Sequence, residues 1–163
     1  MRKILAAAGA LCAAAAITGS SLTAASAATS HAGRTEFFRF VSGLPSGRAS
    51  AIATGAFTAG GSINLNTRVG TLRFPGGTFK AYPRPTHTVS QVNRHTCLLT
   101  VLQRGRYRIG KGTGKFRHIK GHGTFTADIL GVLRRNKKGK CSESAPPLAL
   151  QQVVTAHGPV SGV

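Results

Sequence analysis

The sequence predicts an all-β protein, an antiparallel barrel of about eight strands, preceded by a cleavable export signal. Three observations carry this expectation. Apolar and polar residues alternate with a period of two through a series of short segments, Gly and Pro punctuate those segments, and no stretch after the first 27 residues has a convincing helical period. Strands spaced this way must close or pair to protect their edges, so a barrel or sandwich is the natural class.

The chain opens with Arg2 and Lys3, an apolar Ala-rich run over 4–17, and small residues ending in Ala25-Ser26-Ala27. A positive start, an apolar run and a small-residue site are the parts of a secretory signal peptide, and the expected cleavage follows Ala27. The apolar run is shorter than the roughly 20 residues a spanning helix needs. No later segment is longer, so the expectation is a secreted, soluble chain with no integral membrane segment after cleavage. Residues 1–27 are then the signal, 28–35 a loose mature terminus, and 36–163 a single domain.

Within that domain, 37–41 reads as the first strand, broken by 43–47 with Pro45. Residues 49–59 alternate small apolar residues with Ser and Thr and are expected to end at Gly60-Gly61. Short strands follow at 63–65 and 69–74, and Pro75-Gly76-Gly77 is a hairpin signal leading into 78–82. Pro83 and Pro85 are expected to stop that strand because they lack a backbone donor, leaving 86–92 as a separate edge strand. The most apolar segment, 96–103, reads as buried on both faces. Tyr107 and Ile109 alternate with Arg106 and Arg108, giving a half-exposed arm. Phe125, Ala127, Ile129, Gly131 and Leu133 share one face of the next strand, a basic loop spans 134–140, and 148–155 is the last strand before Gly158-Pro159.

The formal charge of the 163 residues is +19, from 22 Lys and Arg against three acids. Loss of Arg2 and Lys3 with the signal leaves 136 residues, enough for one domain, and a charge of +17. Glu36, Asp128 and Glu143 are the acids. Twelve of the remaining cations fall between Arg104 and Lys140. A charge of this size favours association with a polyanion, whether nucleic acid, an anionic cell-wall polymer or a membrane surface, or keeps an exported protein soluble. The candidate anion-binding residues are Arg104, Arg106, Arg108, Lys111, Lys115, Arg117 and Lys120.

Cys12 leaves with the signal, so Cys97 and Cys141 remain and should pair in an oxidising compartment. The bridge would clamp the base of the glycine-rich hairpin over 105–126. Glycines 110, 112, 114, 121 and 123 in that hairpin suggest positive φ, bulges or close strand approach.

The run from Gly110 to Ala127, with Cys97 before it and Arg135-Asn136-x-x-Gly139-x-Cys141 and Gln151-Gln152 after it, resembles a group of exported actinobacterial proteins of unknown function. Its glycine pattern is also similar to the allene oxide cyclase and dirigent barrels. The resemblance covers roughly 57–160. It implies an eight-stranded antiparallel barrel in which Gly114-x-Phe116 and Gly121-x-Gly123 shape a turn between two strands, and a lumen suited to small apolar molecules. No position matches a catalytic motif of those families.

Other chemistry is poorly supported by the residue pattern. Gly105-x-x-x-x-Gly110-Lys111-Gly112 lacks the Ser or Thr of a phosphate loop and the helix that follows one. His118 and His122 are separated by helical spacing in a segment whose glycines oppose helix, and with His95 or His157 they lack an acid or thiolate to complete a metal site. No metal or cofactor is therefore expected. Three acids make a paired-carboxylate hydrolase a poor fit. Asp128 is expected to pair with a neighbouring arginine, and it and Tyr107 are the only nameable catalytic candidates. The leading expectation is a non-enzymatic secreted barrel that binds a small apolar ligand in its lumen or an anionic polymer on its basic hairpin. The alternatives are a lumenal isomerase or cyclase, as the resemblance implies, and a dedicated polyanion or nucleic-acid binder.

Overall fold

The computed structural model describes residues 33–43, 48–64 and 68–163. The expected export signal and its cleavage site lie outside the described residues. Eight strands close into one barrel in which each pairs with its sequence neighbours and the last returns to the first: β1 (Arg34–Gly43), β2 (Arg48–Thr54), β3 (Ala59–Asn64), β4 (Gly70–Phe74), β5 (Gly77–Asn93), β6 (Leu98–Gly110), β7 (Lys120–Val132) and β8 (Ala149–Ser161). All eight pairings are antiparallel. Closure removes the free edges that an open sheet of this length would present.

The period-two pattern fixes which side chains fill the barrel. Phe38 and Phe40 of β1, Ala49, Ala51 and Ala53 of β2, Tyr107 and Ile109 of β6, Phe125 and Ala127 of β7, and Val154, Ala156 and Val160 of β8 are all buried, while their sequence neighbours face outward. Two alanines on β2 face phenylalanines on β1, with Phe38 opposite Ala53 and Phe40 opposite Ala51, so small residues make room for large ones on this part of the wall.

Several elements differ from the sequence expectation, each for a physical reason. Strand β1 begins at Arg34, which is paired with Val160, so Arg34 and Thr35 belong to the wall rather than to a loose terminus. Gly60 and Gly61 lie inside β3 instead of ending a strand; a side chain at 61 would strike the Arg73 carbonyl and the Phe74 ring. Pro83 and Pro85 do not stop β5, which runs through to Asn93. Short β4 pairs with β5 only as far as Ala81, so beyond that point β5 has β6 alone as a partner and its other edge needs no donors. A bulge between Pro85 and His87 interrupts the same stretch, and prolines and bulges are the usual protection of a free edge. Segment 96–103 is not buried on both faces: Leu99 and Val101 face inward and are half-buried, whereas Leu98 is 41% exposed. Strand β8 continues through Gly158-Pro159, which stay paired with Glu36 and Thr35 of β1 although the β7–β8 ladder is interrupted there.

The connection between β6 and β7 closes one end of the barrel. It contains a single 3₁₀ turn, Gly114–Phe116, and is pinned to the β4–β5 turn by Thr113 N–H to Thr78 O and Lys115 N–H to Gly76 O, both at 2.8 Å. Gly114 alone among the five hairpin glycines has positive φ, at 58°. Phe116 and Ile119 project from this connection into the core. Phe116 meets Phe57 at 5.1 Å, Phe79 at 5.3 Å and Phe74 at 6.2 Å between ring centroids, so an aromatic cluster seals this end.

At the other end, Cys97 in the β5–β6 turn is bonded to Cys141. Leu98 and Val132 pair immediately beside it, so the bridge does clamp the base of the β6–β7 hairpin. The basic loop it holds is ordered by Asn136, whose Oδ1 accepts from the N–H groups of Lys138 at 2.9 Å and Lys140 at 3.0 Å, and by Arg135, which donates to the carbonyls of Gly139 and His95.

Candidate functional site in the barrel lumen

Alternation along β1 carries Glu36 inward together with Phe38 and Phe40, and its side chain is completely buried. A carboxylate in such a position needs donors. Its Oε2 accepts the Phe57 N–H at 3.0 Å and so holds the β2–β3 turn, but its Oε1 has no hydrogen-bond partner. Burial raises the carboxyl pKa, opposed by the backbone N–H groups of Phe57, Ala56 and Thr54.

Tyr107 lies on the same layer of the barrel. Register places Glu36 opposite Gly158 and Tyr107 opposite Gly123, and these two glycines adjoin each other where the β7–β8 ladder is interrupted. A Cβ on either would collide with the other strand's backbone, and one on Gly123 would also stand 2.8 Å from Cε1 of Tyr107. No side chain therefore separates the acid from the phenol along this arc of wall. The Tyr107 hydroxyl is buried without a partner, and its pKa is pushed up to about 12, first by burial and then by the charge of Glu36. At neutral pH the hydroxyl is a proton donor in search of an acceptor.

Beside Tyr107 the lumen opens into a cavity of about 140 Å³. Phe38, Phe40, Leu72, Phe125, Val154 and Ala156 are among the apolar residues of its wall, and Asn64, Gln103 and Gln152 add polar groups toward the end away from Phe116. Glu36 is not among the residues of the cavity wall.

The structure separates the residues that the sequence singled out. Of the two catalytic candidates, Tyr107 is in the lumen and Asp128 is not. Asp128 sits exposed on the outer face of β7 between inward-facing Ala127 and Ile129, because strand alternation turns it away from the core. No ion pair joins it to an arginine among the described residues, contrary to expectation. Glu36, which the sequence reading left out of the site, is the acid that is buried inside the barrel. Of the seven candidate anion-binding cations, Arg104, Arg106, Arg108 and Lys120 lie exposed on the outside of β6 and β7, whereas Lys111, Lys115 and Arg117 belong to the end cap. Lys115 lies along Gly76, and Arg117 Nε donates to His118 Nε2 at 2.9 Å.

Among the described residues, no three His, Cys, Asp or Glu side chains group closely enough to hold a metal ion, and no helix is long and apolar enough to cross a membrane. No family model, curated protein or solved structure matches the chain.

Proposed function

We propose that this protein is an exported barrel that binds a small, mainly apolar molecule in its lumen, with a hydrogen-bond acceptor of that molecule taken by Tyr107. The observation that carries this reading is Tyr107, a residue of the apolar cavity wall whose buried hydroxyl has no partner. A buried donor without a partner costs about 1–3 kcal/mol, and a ligand oxygen in the cavity would recover it. The cavity is close to the roughly 150 Å³ that accommodates benzene in an apolar core, so it has room for a ring or short chain of that size. The Cys97–Cys141 bridge is in keeping with an oxidising exterior.

The reading is tested by titrating the protein with toluene and with benzaldehyde while following amide chemical shifts. Benzaldehyde, which carries a carbonyl oxygen, should bind roughly 5–10-fold more tightly than toluene, in line with one hydrogen bond. The preference should vanish in Tyr107→Phe. Equal affinities in the unaltered protein, or no shifts at Phe125 and Val154 with either compound, would refute it.

A second reading, a lumenal isomerase or cyclase, is favoured by Glu36 and Tyr107 sharing one layer of the wall. It differs in requiring that a bound compound be converted, which the same titration would reveal as product resonances.

A further inference from the structure

A second surface, independent of the lumen, runs over the outside of β5, β6 and β7. Arg104, Arg106 and Arg108 project from the same face of β6. Register adds two cations that adjacent sequence does not reveal: Arg84 stands directly opposite Arg106, and Lys80 lies opposite Gly110, one step beyond Arg108. Lys120 flanks the patch at the start of β7. The remaining neighbours are neutral or weakly basic, with Tyr82 and His122 on either side of Arg108 and Thr124 and Thr126 beside Arg106 and Arg104.

One acid shares this outer face, Asp128, which stands opposite Leu102 one step beyond Arg104; Glu36 is sealed in the lumen and Glu143 is in the β7–β8 connection. Among the described residues no ion pair reaches any of these cations. Like charges facing each other across adjacent strands oppose sheet formation, so the Arg84–Arg106 pair costs stability that a scattered solubilising charge would avoid. An anion lying between the two guanidiniums offsets that cost.

The geometry also restricts the kind of anion. Alternate residues on a strand repeat at about 7 Å, which is on the order of the distance between successive phosphates in an extended phosphodiester strand. Arginine forks bind phosphate oxygens bidentately. Recognition of bases would need open aromatic faces for stacking, but Tyr82, the one aromatic within the patch, has the Arg108 guanidinium 5.8 Å above its ring. We infer that the outer face of β5–β7 binds a linear phosphodiester polymer through its charged backbone alone, with Arg84, Arg104, Arg106 and Arg108 making the phosphate contacts.

The test uses fluorescein-labelled oligo(dT) and an abasic phosphodiester of equal length, with fluorescence anisotropy between 20 and 200 mM salt as the readout. About four phosphate contacts on a single strand give an expected log–log salt slope of about −3, the same for both polymers. The triple variant Arg104→Ser, Arg106→Ser, Arg108→Ser should flatten that slope by about 2. Lys137→Ser, Lys138→Ser, Lys140→Ser removes the same charge from the basic loop and should leave the slope unchanged. Near-ultraviolet circular dichroism verifies that both variants remain folded, and Arg106→Ser alone, expected to lower the slope by about 1, serves if the triple variant does not. Tighter binding of oligo(dT) than of the abasic strand, equal losses in the two triple variants, or no salt-dependent binding would each overturn the inference.

Discussion

The Tyr107 ring lies directly against Gly123 of the neighbouring strand, with Cε1 2.8 Å from the place a Cβ would occupy. The same Cβ would meet the His157 carbonyl oxygen, so a side chain there can be relieved only by moving both the ring and β8. Gly123→Ala should therefore destabilise the barrel by about 1–3 kcal/mol, the usual cost of overpacking. Gly60→Ala is the matched control, since a Cβ at that position meets nothing within 4 Å. Urea denaturation of both variants checks this; equal stabilities would mean that β7 and β8 are not drawn together at Gly123.

Tyr107→Phe should leave stability unchanged or raise it at neutral pH, because it removes a buried hydroxyl that has no protein partner. The pH dependence separates this from a simple packing effect. The folded pKa of about 12 lies above the ordinary value of 10.0, so the folded state retains a proton that the unfolded chain releases. Stability from this group is complete below pH 10 and declines as pH rises toward 12, by something of order 2 kcal/mol across the window. The parent should therefore fall progressively further below Tyr107→Phe as pH rises over that range. Parallel curves would show that the hydroxyl ionises as it does in water.

The barrel and its disulfide were legible because both rest on local patterns. Alternation is read directly from the chain, and the two cysteines left after the expected signal have one pairing. Glu36 was legible in principle: Glu36, Phe38 and Phe40 alternate with Phe37, Arg39 and Val41, which puts the acid on the apolar face. The signal was missed because a carboxylate beside an expected loose terminus reads as solvated. Pro83 and Pro85 misled for another reason. Their effect depends on whether β4 reaches them, and strand overlap is a tertiary property. Arg84 joins Arg106 through register across the β5–β6 hairpin, which no local pattern contains.

Glu36→Gln tests the cost of the buried carboxylate. Its folded pKa is raised above 4.5, mainly by burial, so the folded state holds a proton more firmly than the unfolded chain. Its stabilising contribution is complete below the unfolded value and is lost as pH rises through the raised folded value. Glutamine keeps an oxygen for the Phe57 N–H and does not titrate. The stability of the parent relative to Glu36→Gln should therefore be greater at pH 4 than at pH 7. A difference that stays constant between those two pH values would show that the carboxyl behaves as an exposed group.

Phe116→Ala probes the end cap. The ring is buried and meets Phe57, Phe74 and Phe79, so its removal takes a buried aromatic from the centre of a cluster. The expected loss is about 3–5 kcal/mol. The 3₁₀ turn should also loosen, since the Phe116 ring helps fasten it to the barrel beside the backbone bonds to Thr78 and Gly76 and the Thr113 hydroxyl's bonds to Thr78. Hydrogen exchange at the Thr113 and Lys115 amides would then accelerate more than exchange in β1, far from the cap in sequence. Uniform acceleration throughout the barrel would instead make Phe116 a general core residue with no particular role in closing that end.

The Cys97–Cys141 bridge closes 44 residues of chain that include the whole β6–β7 hairpin. Loop-closure entropy gives it a stabilisation of about 4 kcal/mol. The double variant Cys97→Ser, Cys141→Ser should lower the unfolding free energy by an amount of that order. Its structural effects should be local, because the lumen lies toward the other end of β6 and Tyr107 is ten residues beyond Cys97. The loop over 134–148 should lose protection first, as Arg135 and the Leu133 N–H reach back to His95 and Cys97 from a loop that the bridge holds in place. Benzaldehyde binding in the folded variant should persist under conditions where the unaltered protein also binds it. Loss of that binding without loss of the fold would mean that the bridge, though distant, sets the shape of the lumen.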